Sequence, residues 1–205
     1  MTRLPSHFYA IVDPAGGHEP LMLAETFLDA GVRIMQLRLK DAPARDFLAA
    51  ARAIAELCRQ RGAILIVNDR VDIALLANAH GVHLGQQDLP LEAARRIAGP
   101  DMMIGISTSS VEQARAAENG GADYIGFGPM YPGGLKNNPA GMGLDHLQAM
   151  RAAVKIPIVA IGGITEALVP QTLAAGADAA AIITDVVNAP DLAAKVRSIL
   201  ALARN

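Results

Sequence analysis

Two kinds of apolar patterning alternate along the chain. Short runs such as "AILIV" and "IPIVAI" are apolar at nearly every position, whereas the stretches between such runs space their apolar residues three and four apart. The first pattern suits a parallel strand covered on both faces, the second a helix with one face against a core. Strands are therefore expected at 8–13, 33–39, 63–68, 81–85, 102–107, 123–127, 157–161 and 179–183. Helices are expected at 19–30, 42–61, 71–79, 90–98, 110–120, 144–154, 165–175 and 190–203. The junctions that lead from helix to strand repeat: Ala30-Gly31-Val32, Ala79-His80-Gly81, Gly120-Gly121-Ala122-Asp123 and Ala175-Gly176-Ala177-Asp178. Glycine at such a point lets the chain leave a helix with positive φ.

Eight strand–helix units in strict alternation within 205 residues fit a closed TIM (β/α)8 barrel, one α/β domain over residues 1–205, better than an open doubly wound sheet. Composition then removes several function classes. The net charge of −2, with 3% aromatic residues and no Trp, argues against a nucleic-acid surface, which shows a basic excess and stacking rings. The one cysteine, Cys58, lies in the helical pattern "AAARAIAELCRQRG" and reads as a small core residue, which excludes a disulfide scaffold. No uncharged apolar run reaches the ~18 residues of a membrane span, and the N-terminus lacks the apolar stretch of a signal peptide. A cytoplasmic protein with no membrane partner is expected. Helical faces such as "LAAARAIAELC" suit equally the barrel's own strands and a second copy in a homo-oligomer.

In a TIM barrel, chemistry collects where strands end and the following loops begin. Those ends are polar here. The second strand closes on "QLRLK", in which Gln36, Arg38 and Lys40 share one side and Leu37 and Leu39 the other. The third ends in Asn68-Asp69, the fourth in "HLGQQD" with Gln86 and Asp88, the fifth in Ser107-Thr108, and the loop after the sixth holds Lys136. Asp69 and Asp88 come from adjacent strands and suit one Mg²⁺ with water completing its shell, or, separately, caps for the next helices. Arg38, Lys40 and Lys136 on the same rim suit a phosphate or diphosphate, which cations bind through charge-assisted hydrogen bonds. Gly162 and Gly163 end a strand and open a helix, so their N–H groups suit a second phosphate, although a plain tight turn uses the same residues. His83 alternates with Val82 and Leu84 and reads as a hydrogen-bonded interior residue; His7, His18, His80 and His146 read as surface.

In this order and over nearly the whole chain, "QLRLK", "VNDR", "GVHLGQQD", "GIS", "GADYIGFGPMYP", Lys136 and "IPIVAIGGI" resemble the thiamine-phosphate synthase family. The resemblance implies a TIM barrel that joins 4-amino-2-methyl-5-hydroxymethylpyrimidine diphosphate to a thiazole phosphate, with Mg²⁺, and releases pyrophosphate. It implies that the run Gln36, Leu37, Arg38, Leu39 and Lys40, with Asn68, Ser107 and Lys136, holds the pyrimidine diphosphate. Arg38, Lys40 and Lys136 would stabilise the departing diphosphate, Asp69 and Asp88 would hold Mg²⁺, and Gly162, Gly163, Ile183 and Thr184 would take the thiazole phosphate.

One loop departs from the family pattern. The family usually has Pro-Thr-x-Thr-Lys after the sixth strand, and this chain has Pro132-Gly133-Gly134-Leu135-Lys136, which keeps the lysine and loses both hydroxyls. Thr184 stands where Ser is common and keeps its hydroxyl. Binding of the usual thiazole through backbone N–H groups, an altered acceptor and a lost synthase activity are all compatible with that loop. Related thiazole tautomerases, and a non-catalytic phosphate-binding protein, are the alternative readings. The full set Gln36, Arg38, Lys40, Asp69 and Asp88 favours the synthase.

Overall fold

A computed structural model of the chain describes residues 3–132 and 141–203. Eight parallel strands, each paired with the next and the last with the first, close a barrel. They are β1 (Phe8–Val12), β2 (Ile34–Leu37), β3 (Ile64–Asn68), β4 (Gly81–Leu84), β5 (Met103–Thr108), β6 (Tyr124–Phe127), β7 (Ile158–Ile161) and β8 (Ala179–Ile182). Closure is direct: Ala10 pairs in register with Met35 on one side and with Ile182 on the other.

Helices α1 (Pro20–Asp29), α2 (Ala44–Arg61), α3 (Val71–Leu76), α4 (Leu91–Ala98), α5 (Val111–Asn119), α6 (Gly143–Ala153), α7 (Val169–Ala174), α8 (Thr184–Val187) and α9 (Leu192–Leu202) surround the strands. In α2 the buried residues Phe47, Ala51, Ile54, Ala55 and Cys58 fall on one stripe, the pattern a helix needs to cover a barrel. Burial alone pushes the Cys58 thiol up to about 12, as suits a packed thiol with no chemistry. No described helix is long and apolar enough to cross a membrane.

Strand alternation divides the core in two. Phe8, Ala10, Met35, Leu37, Leu65 and Val67 face outward into the layer under the helices, whereas Tyr9, Ile11, Ile34, Ile66, Tyr124 and Val159 fill the barrel interior. Small residues make room for the large interior ones. A Cβ on Gly105 would lie 2.1 Å from the Tyr124 ring, and one on Gly126 would lie 3.0 Å from His83 Cε1.

The junction rule holds with one exception. Gly31, Gly121 and Gly176 take positive φ, but before β4 that role falls to Asn78, at φ 51°. Asn tolerates this conformation better than most residues, and Gly81 is instead needed for space: its Cβ would lie 2.5 Å from the Met103 carbonyl oxygen.

Candidate active site

The interior-facing side of β1, β2 and β3 is apolar at the N-terminal end and passes into Asp13, Gln36 with Arg38, and Asn68 at the C-terminal end, with Ser107 near the end of β5 in the same way. That change opens a cavity of about 1360 Å³, more than a single small ligand occupies. Its lining includes Gln36, Arg38, Lys40, Asn68, Asp69, Asp88, Ser107, Gly162, Gly163, Ile183 and Thr184. The alternation read in "QLRLK" persists past the end of β2, so Gln36, Arg38 and Lys40 face the cavity. Leu37 and Leu39 do not: both side chains are buried in the layer between barrel and helices, on the opposite side of the chain, and neither lines the cavity. Lys136 and Gly133-Gly134-Leu135 lie outside the described residues.

Each cation on β2 is held by a carboxylate. Arg38 Nη1 donates to Asp13 Oδ2 at 2.5 Å, and Asp13 is itself buried at the end of β1, with its Oδ1 accepting from the Ala15 N–H. Lys40 Nζ donates to Asp69 Oδ2 at 2.6 Å. Asp13 was not among the residues singled out from the sequence; it also caps the 3-10 turn Pro14–Gly16.

The two candidate metal ligands meet as expected of adjacent strands. Asp69 adopts φ 62°, a left-handed conformation uncommon outside glycine, and its N–H donates to the His83 carbonyl. Asp88 accepts from the Gly85 N–H through Oδ2 at 2.7 Å instead of capping α4, whose cap position is Pro90. Burial raises the Asp88 proton affinity, the Gly85 N–H opposes this, and a hydrogen bond with Asp69 together with its charge raises it further. Two neighbouring carboxylates present hard oxygen donors of the kind that Mg²⁺ prefers. Among the described residues there is no cluster of three or more His, Cys, Asp or Glu that could hold a metal.

Below this charged rim lies a polar floor that sequence reasoning located only at His83. Gln36 Nε2 donates to Tyr9 Oη at 3.1 Å, and Tyr9 Oη lies 2.9 Å from Tyr124 Oη. Tyr124 Oη lies 3.0 Å from His83 Nδ1, and His83 Nε2 is 2.9 Å from Ser107 Oγ. The chain thus crosses five strands, linking residues up to 115 apart in sequence, which is why no local pattern disclosed it. Burial pushes His83 down to about 4, with Asp88 opposing and Lys40 reinforcing, so the imidazole is neutral near pH 7. It is an interior hydrogen-bonding residue, as its alternation suggested. Of the other histidines, His18 is half-buried and bonded to the Val187 carbonyl, while His7, His80 and His146 are exposed. Gln86 turns outward and bonds the Ser107 carbonyl at 2.6 Å.

On the far side of the mouth, Gly162 and Gly163 both take positive φ. Gly163 has a packing reason to be glycine, because a Cβ would lie 2.5 Å from the Tyr131 carbonyl oxygen, so its identity alone does not announce an anion. Next to it, Ile183 follows β8 as the cap position of α8, which Thr184 opens. Lys195 of α9, bridging Glu166 and Asp185 at 2.9 Å each, also lines the cavity; a lysine in mid-helix gave no sequence signal.

Comparison with known proteins agrees with this geometry. The family model described as thiamine monophosphate synthase matches residues 8–186. A thiamine-phosphate synthase of Moorella thermoacetica is 46% identical over 183 residues, covering 89% of this chain and 87% of the relative. One from Methanospirillum hungatei is 48% identical over 193 residues, with 92% and 93% covered. The solved thiamine phosphate pyrophosphorylase from Pyrococcus furiosus superposes with a TM-score of 0.89 at 36% identity, covering 96% of this chain and 95% of that one. The chain belongs to the thiamine monophosphate synthase family.

Proposed function

We propose that the cavity performs the family reaction through an electrostatic, proton-free displacement built on the β2, β3 and β4 strand ends. The enzyme is a transferase that couples the pyrimidine and thiazole moieties of thiamine phosphate. In the proposed mechanism the C–O bond to the pyrimidine methylene breaks and its electron pair leaves with the diphosphate. The electron-rich aminopyrimidine carries the positive charge until the thiazole nitrogen donates its lone pair to form the C–N bond.

Arg38 and Lys40 meet the diphosphate charge that grows as the bond breaks, and Lys136 is assigned to the same task. Arg38, already fixed by Asp13, needs little reorganisation, which is the main source of such stabilisation, while Lys40 waits on Asp69 beside the place the diphosphate takes. Mg²⁺, for which Asp69 and Asp88 are the proposed ligands, would supply further charge neutralisation at the leaving group. Gln36, Asn68 and Ser107 orient the pyrimidine diphosphate, and Gly162, Gly163, Ile183 and Thr184 hold the thiazole phosphate across the mouth. The neutral His83 does not serve as a base, consistent with a reaction that moves no proton at the reacting atoms.

The observation that carries this reading is the single rim on which Arg38, Lys40, Asp69 and Asp88 converge, with room beside it for a second substrate. The test is direct. Purified protein with pyrimidine diphosphate, thiazole phosphate and Mg²⁺ should release thiamine phosphate and pyrophosphate in equal amounts. Silence under conditions where an authentic synthase turns over would refute the assignment, and would direct attention to the Gly133-Gly134-Leu135 loop.

A further inference from the structure

The hydrogen atoms on the barrel floor can be counted. The Gln36 amide nitrogen only donates, so the Tyr9 oxygen accepts from it. The Tyr9 hydroxyl hydrogen then has one acceptor among the described residues, Tyr124 Oη. That occupies a lone pair of Tyr124, whose own hydrogen goes to His83 Nδ1. A neutral imidazole that accepts at Nδ1 carries its hydrogen on Nε2 and donates it to Ser107 Oγ. The Ser107 hydroxyl hydrogen is left without an acceptor among the described residues, on a side chain that lines the cavity.

We propose that Tyr9, Tyr124 and His83 form a one-way hydrogen-bond relay that commits Ser107 to donate to an acceptor atom of the pyrimidine diphosphate. His83 and Tyr124 line the cavity below the rim, and the relay assigns them as positioning residues that act through Ser107. The opposite direction needs the Gln36 amide turned over and His83 protonated on Nδ1. Ser107 would then give its hydrogen to His83 and present only lone pairs to an electron-rich ligand, an unfavourable meeting. A hydrogen donated by Tyr124 requires His83 Nδ1 to be unprotonated, so the direction of the relay follows from its contacts. Gly105 and Gly126 give the rings of Tyr124 and His83 their space, which holds the relay in register.

The inference rests on the reading of Ser107 as a contact to the pyrimidine diphosphate, and two measurements separate the parts. Nitrogen NMR of histidine-labelled wild-type protein, with the His83 signal assigned by replacing the other four of five histidines, should show the Nε2–H tautomer. An Nδ1–H tautomer would overturn the relay whatever the enzyme's activity. In steady-state kinetics Ser107→Ala should lower kcat/KM for the pyrimidine diphosphate about tenfold, the scale of one lost hydrogen bond to a charged ligand. Tyr124→Phe should lower it to a similar extent while leaving KM for thiazole phosphate unchanged. The double variant should be no worse than Ser107→Ala alone, because the relay acts only through that hydroxyl. Losses that multiply would refute the proposal, and a fully active Ser107→Ala alongside an Nε2–H tautomer would refute the substrate contact on which it rests. If Tyr124→Phe fails to fold, the wild-type tautomer still decides the direction.

Discussion

At the scale of single residues, the site is a set of charges held against their preferences. Asp88 illustrates the tension: burial and its neighbour Asp69 favour its protonated form, so its ionised form is disfavoured in the folded protein. A carboxyl with a raised folded-state proton affinity binds more protons folded than unfolded, so stability falls as pH rises from the unfolded value through the folded one. Near neutral pH the protein carries that cost. Asp88→Asn removes the charge while its amide oxygen can still accept from Gly85. Without Mg²⁺ the variant should melt at a higher temperature than the parent, modestly because the pair is solvent-accessible, while turnover collapses. Calorimetry in a chelator beside a product assay checks both halves; a lower melting temperature would mean the carboxylates are not in conflict.

At the scale of elements, strands were legible as short apolar runs entered through repeated helix-to-strand junctions, and the longer helices by the spacing of their apolar residues. All eight strands fall within a residue or two of their expected ends. The four-residue α8 and the 3-10 turn Pro14–Gly16 were missed, and the expected helix 165–175 is split into the 3-10 turn Glu166–Leu168 and α7. The site divides in the same way. Arg38, Lys40, Asp69 and Asp88 were legible because each sits at the end of a recognisable strand. Asp13 was not singled out because its partner Arg38 lies 25 residues away at the end of the next strand, and the Tyr9–Tyr124–His83 contacts depend on barrel closure.

One element-level device recurs in the repeated Gly-Ala-Asp junctions. Asp123 Oδ2 accepts from the Ile104 N–H and from Arg95, and Asp178 Oδ2 accepts from the Ile158 N–H and from Arg151. Each arginine also bonds nearby loop carbonyls, for example Arg95 to Met102 at 2.6 Å and Arg151 to Val154 at 2.5 Å. These braces lie at the N-terminal end of the strands, away from the cavity. Arg95→Met, which keeps the aliphatic stem, should cost about 1–3 kcal/mol in urea unfolding and leave kcat per folded molecule intact. A loss of kcat with unchanged stability would show that the brace reaches the site.

At the scale of the whole molecule, a closed barrel leaves no sheet edge and little freedom to rearrange, so ligands report on the site through global stability. Anything that binds only the folded state stabilises it by about 2.7 kcal/mol at a hundredfold excess over Kd. Pyrimidine diphosphate and Mg²⁺ together should therefore raise the melting temperature of the parent clearly, and that of the Asp69→Asn, Asp88→Asn double variant hardly at all. Thiazole phosphate should shift both alike. An equal response of the double variant to the first pair would detach the aspartates from the metal.

The Lys40–Asp69 contact has a corollary for the order of events. On the proposed assignment, the ammonium rests on an oxygen that the ion also wants, so an ion arriving alone must evict a lysine into water. A diphosphate offers that lysine a new seat, and the ion and the diphosphate thereby become mutual recruits: each should bind more tightly with the other present, by the same factor in either direction. Neither is expected to dwell long in the cavity by itself.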